Sequence, residues 1–120
     1  MLLRHAGHHV LLTGDLEKQG LEQVLDEPPP RIDVLMAPHH GSRFANTPEL
    51  AAWATPKFVI SCQETPRGPV RWTVPFVAKG AQCLLTSFEG AVTIHSTQDR
   101  LTLETHLSGQ RFVMQPRMEK

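Results

Sequence analysis

Residues 11–25 read LLTGDLEKQGLEQVL and residues 33–43 read DVLMAPHHGSR. In each, an apolar run stops at groups able to bind a cation: Asp15 in the first, His39 and His40 in the second. The run His9 to Thr13 is unbroken in the way of a strand buried on both faces. Gly14 and Asp15 end it. From Leu16 the apolar positions Leu16, Leu21, Val24 and Leu25 form a helical stripe, with Glu17, Lys18, Glu22 and Gln23 on the wet side. Three prolines at 28–30 forbid its continuation. IDVLMA (32–37) is then a second buried strand, closed by Pro38.

Working outward, Thr47 followed by Pro48 announces a helix, as N-cap and first helical residue. Leu50, Trp53 and Ala54 are its inner face, and Pro56 stops it before a third strand, KFVISC (57–62). Strand, helix, strand, helix, strand predicts a layered α/β (α+β) architecture with a mixed sheet and two or three helices. QETPRGPVRW (63–72) is loop, and VPFVAKGAQ (74–82) holds a short helix ending near Gly80. QCLLTSFEG, AVTIHST, RLTLETHL and QRFVMQ, punctuated by turn residues, predict an antiparallel meander over 82–115. At the other end, MLLRHAGHHVLLTGD predicts a hairpin turning at Ala6-Gly7. A fold rarely opens in mid-hairpin, so the chain is read as one partial domain, 1–120, that begins part-way through a larger structure.

The 120 residues are one domain's worth, and 40% hydrophobic content is enough for a core. Twelve basic and twelve acidic side chains cancel, which excludes a global field for nucleic acid but not a local patch. Cys62 and Cys83 lie in apolar runs and read as small buried hydrophobes rather than a disulfide. No run approaches the roughly 20 apolar residues of a membrane span, and no signal-peptide pattern opens the chain.

Ligands of open α/β folds gather at the carboxyl ends of strands, where Asp15, His39 and His40 fall. Asp15 also suits the N-cap of the following helix. Two histidines followed by Gly41, which permits close backbone approach, are a more specific signal. On an extended chain adjacent side chains point to opposite sides, so one of the pair faces any site and the other supports it. Ser42 and Arg43 read by default as solvated loop residues and are the candidates to hydrogen-bond an anionic substrate. His9 lies about 20 Å from Asp15 at strand rise, so His8 and His9 read as turn or surface residues, and His95 and His106 as structural. Arg43, Arg67, Arg71 and Arg100 are scattered through loops and read chiefly as solvated surface.

LLTGD, the helix after it, DVLMAPHHGS, TPELAAWATPKFVIS and GAQCLLTSFEGAVTI together resemble the C-terminal half of a metallo-β-lactamase-fold αββα sandwich. The likeness, over roughly residues 2–96, is to the soluble C-terminal domain of ComEC-type competence proteins, inner-membrane channels for DNA uptake. It implies a metal-dependent, nuclease-like hydrolase acting on DNA with zinc or manganese. Asp15 would be the bridging ligand, with His40 before His39 as the imidazole ligand. The family's His-x-His-x-Asp-His block has no counterpart here, nor does the histidine that precedes its aspartate, and ETPRGPVRW replaces its Asn/Gly/His-Pro loop. The chain alone is therefore expected to be inactive, and no catalytic residue is assigned. An apolar sheet face is expected where the other half, or a second copy in a homo-oligomer, would pack. The competing readings are a non-catalytic binding or scaffolding module, and a fragment of an RNA-processing or lactone hydrolase of the same fold.

Overall fold

A computed structural model describes residues 1–14, 18–42 and 44–115. Strands β1 (Leu2–His5) and β2 (His8–Leu11) form the opening hairpin, and α1 (Lys18–Leu25) leads to β3 (Val34–Met36). Next come α2 (Pro48–Ala54), β4 (Phe58–Ser61), α3 (Val74–Ala78) and β5 (Gln82–Leu85). A single helical turn, α4 (Thr86–Glu89), precedes β6 (Val92–Ser96), β7 (Leu101–Thr105) and β8 (Arg111–Met114). The first five strands make one mixed sheet in the order β1-β2-β3-β4-β5, and β6-β7-β8 make a second, antiparallel one. Only the β1–β2 pair of the first sheet is antiparallel; β2 to β5 run parallel.

The unbroken apolar runs follow from burial on both faces. Leu11, Leu35, Val59 and Cys83 stand in register across the sheet and pack under Leu21, Leu50, Ala54 and Phe76 of the three helices. The alternate residues Val34, Phe58, Ile60 and Leu84 pack with Leu101 and Leu103 of the second sheet. The layers are thus helices, parallel sheet, antiparallel sheet. Leu35, Val59 and Leu103 are fully buried, each side chain contributing about 1.5–3 kcal/mol relative to exposure. Thr47 accepts the Leu50 amide at 3.2 Å as the expected N-cap, and the Trp53 indole donates to the Glu27 carbonyl at 2.8 Å, tying α2 to the end of α1.

Three expectations change. The meander expected over 82–115 occupies 92–114, because Gln82–Leu85 joins the main sheet parallel to β4. Thr86–Glu89, read as strand, is a helical turn ended by Gly90 at φ 77°, so four α-helices stand among the described residues. The apolar face expected to lie open is largely covered by β6–β8. What remains is a cleft of about 260 Å³ bordered by Leu3, Val10, Leu12, Ile94 and Leu101. No helix among the described residues is long and apolar enough to cross a membrane.

Candidate functional site

The parallel strands end along one edge, and hydrogen bonds tie each end to its neighbour. The Thr13 hydroxyl donates to the Met36 carbonyl at 2.6 Å, and the His39 amide donates to the Gly14 carbonyl at 2.8 Å. His40 Nδ1 donates to the Cys62 carbonyl at 3.0 Å, and the Gln63 amide donates to the Thr86 hydroxyl at 3.3 Å. The ends of β2, β3, β4 and β5 are thereby held in one row.

The HHGS segment does not continue as the extended chain the sequence suggested. His39 (φ 49°, ψ 49°) and His40 (φ 51°, ψ 36°) are both left-handed, and Gly41 follows at φ 80°. Their rings meet edge to face with centroids 6.5 Å apart. The turn is held by Asn46, whose side-chain amide donates to the Pro38 carbonyl at 3.0 Å and the Ser42 carbonyl at 2.6 Å. Asn46 is 2% exposed and went unremarked in the sequence; an Asn between a Gly-Ser turn and a Thr-Pro cap was the available signal. Ser42 is occupied locally, its hydroxyl accepting the Phe44 amide at 3.2 Å.

A carbonyl can only accept, so the neutral His40 ring carries its proton on Nδ1 and its lone pair on Nε2. That is the tautomer of a metal-bound imidazole steadied by a backbone carbonyl. Asp15 and Arg43 lie outside the described residues; Asp15 follows Gly14, the acceptor for the His39 amide, by one peptide link. Among the described residues no three His, Cys, Asp or Glu side chains are grouped so as to hold a metal ion. The described part of the site therefore fits one imidazole contact to a cation.

Beside Gly41 opens a pocket of about 350 Å³, lined by Gln63, Arg67, Val70, Arg71 and Trp72. Gln63 and Trp72 of this lining form a polar triad with buried Ser61: Gln63 Oε1 accepts from the Ser61 hydroxyl at 2.6 Å and from the Trp72 indole at 3.0 Å. A Cβ on residue 41 would stand 2.5 Å from Gln63 Oε1 and 2.8 Å from both Ser61 Oγ and Trp72 Nε1. Glycine is required there for close approach as well as for φ. Two of the four arginines thus share one pocket, while Arg100, in the turn between β6 and β7, lines a different one with His95 and Glu104.

The remaining histidines sit elsewhere. His9 Nδ1 donates to the Arg31 carbonyl at 2.7 Å, at the opposite end of β2 from the site. His8, read as a turn or surface residue, is 2% exposed. Its Nδ1 lies 2.9 Å from Ser96 Oγ, which also lies 2.6 Å from His5 Nδ1. The second sheet closes over His8, a long-range contact that hydropathy could not reveal. Cys62 and Cys83 are free thiols, Cys62 exposed rather than buried, and burial pushes the Cys83 thiol up to about 11. Comparison with protein-family models, curated proteins and solved structures returns no match.

Proposed function

We propose that this chain is the C-terminal half of a metal-dependent hydrolase domain of the metallo-β-lactamase type, similar to the DNA-acting domain of competence proteins. The observation that carries the reading is the His40 Nδ1 hydrogen bond to the Cys62 carbonyl at the strand ends, which fixes the ring tautomer with its lone pair on Nε2. Asp15 and His40, with His39 beside it, would be this chain's contribution to a divalent-cation site for zinc or manganese. When bound, such an ion supplies an acidified water for ester or phosphodiester cleavage. Two or three groups do not hold a catalytic metal pair with an open position, so the chain alone binds metal weakly and does not cleave DNA.

Titration of zinc and of manganese into the tag-free protein, followed by the His40 ring resonances, tests this. Saturable perturbation that is lost in Asp15→Ala is expected. Rings unmoved at millimolar metal would refute it, as would metal-dependent cleavage of single-stranded DNA above the Asp15→Ala control for the predicted inactivity.

A further inference from the structure

We propose that the pocket beside Gly41 is a phosphate-binding site, built from Arg67, Arg71 and the Gln63 carboxamide, that takes the phosphate of a small phosphate monoester. Three observations lead there. The first is charge. Arg67 and Arg71 both line the pocket, no Asp or Glu among the described residues lines it, and neither arginine is ion-paired among the described residues. Two uncompensated cations facing one cavity favour an anion, and the planar fork of arginine matches the oxygens of a phosphate.

The second is the orientation of Gln63. An indole N–H only donates, so the bond from Trp72 Nε1 fixes which end of the carboxamide is oxygen. The Ser61 hydroxyl occupies the same oxygen. The Gln63 NH₂ group, with two donors, is therefore the end of the carboxamide not engaged by the triad, and Gln63 lines the pocket together with the arginines. Trp72 is 4% exposed and Ser61 fully buried, so this orientation is set from inside the protein.

The third is shape. The arginines flank Gly68 and Pro69, with Pro66 just before them, and the prolines reduce the freedom the loop would lose on binding. A cavity of about 350 Å³ is at the small end for ligand sites and holds a phosphate with one sugar-sized substituent. Gly41 is common to this pocket and to the turn that carries His40. On the hydrolase reading the anion is thus gripped next to the metal-binding turn, but the grip itself needs no metal.

Metal-free protein in EDTA at low ionic strength is titrated, by calorimetry and amide chemical shifts, with inorganic phosphate, a nucleoside 5′-monophosphate and the parent nucleoside. Both phosphate compounds are expected to bind and to shift Gln63, and the nucleoside is not. Replacing both Arg67 and Arg71 by Ala should weaken binding by about tenfold or more, whereas Arg100→Ala should leave it unchanged. Both arginines are exposed, and an unaltered melting temperature confirms intact folding. Equal weakening by Arg100→Ala, equal binding of the nucleoside, or unchanged affinity in the double variant overturns the proposal. Asp15→Ala is expected to bind phosphate normally. Phosphate binding without metal binding would remove the hydrolase reading alone, and metal binding without phosphate binding would remove this one alone.

Discussion

Gly41→Ala probes the joint between the left-handed turn and the Ser61–Gln63–Trp72 triad. Gly41 sits at φ 80°, where an L-residue costs about 1–2 kcal/mol in backbone strain. The new methyl would also lie within 2.8 Å of three polar atoms. Gln63 can swing aside, but the Trp72 indole and Ser61 hydroxyl then lose their common acceptor while buried, at a cost of about 1–3 kcal/mol. The total loss expected is about 2–5 kcal/mol. Gly80→Ala supplies the control: φ is 85° there, and nothing lies within 4 Å of the added Cβ, so only backbone strain should appear. Urea unfolding followed by tryptophan fluorescence measures both variants. A Gly41→Ala loss within about 0.5 kcal/mol of the Gly80→Ala loss, a margin typical of neutral surface changes, would show that the Ser61–Gln63–Trp72 triad does not press on the turn.

Asn46→Ala removes both bonds that pin the HHGS turn and should cost about 2–4 kcal/mol. Asn46→Asp, which cannot donate to those carbonyls when ionised, should rescue nothing, and a stable Asp variant would refute the assignment. Desolvation by burial holds the His8 imidazole below its usual value, outweighing the attraction of Asp33. The unfolded chain therefore takes up the proton first, so stability is full above about pH 6.5 and falls as pH drops toward the folded value. His8→Leu should flatten that acid limb in urea-midpoint measurements, and an unchanged slope would count against it. With its pKa raised to about 11, Cys83 is about a thousandth thiolate at pH 8. Iodoacetamide should label exposed Cys62 first and Cys83 only on unfolding; equal rates by mass spectrometry would contradict the burial.

Local signals were enough where the cause of structure is local. Thr47-Pro48 starts α2 because the cap and the missing proline amide are properties of those two residues. The runs at Val34–Met36 and Phe58–Ser61 are apolar throughout because each is covered on both sides. Gln82–Leu85 shows the limit. Its composition suits a strand, but its pairing with Phe58–Ser61 rather than Val92–Ser96 depends on where α3 returns the chain, and alternation carries no record of that. His8 fails for the same reason, since its cover comes from Ser96, 88 residues away. The pocket was hidden in another way. Arg67 and Arg71 look like solvated loop charges until Pro66–Trp72 folds back against Gly41, and Gln63 offers nothing by type to mark it as an oriented donor.

The turn at His39 and His40 bears on function through its energy. Histidine enters the left-handed region more readily than most residues, yet two in succession still cost about 1–2 kcal/mol each relative to glycine. The geometry gained is specific. On an extended chain residues 39 and 40 would point to opposite faces of the sheet. Wound left-handed, the backbone of His39 reaches β2's end at Gly14 while the ring of His40 reaches β4's end at Cys62. A buried asparagine holds the turn in that form. A chain that had only to reverse direction could do so with glycine at both positions and without Asn46. Strain of this kind persists where surrounding structure enforces it and tends to cluster at functional sites. The strained turn and the hydrogen-bonded tautomer of His40 fall on the same few residues.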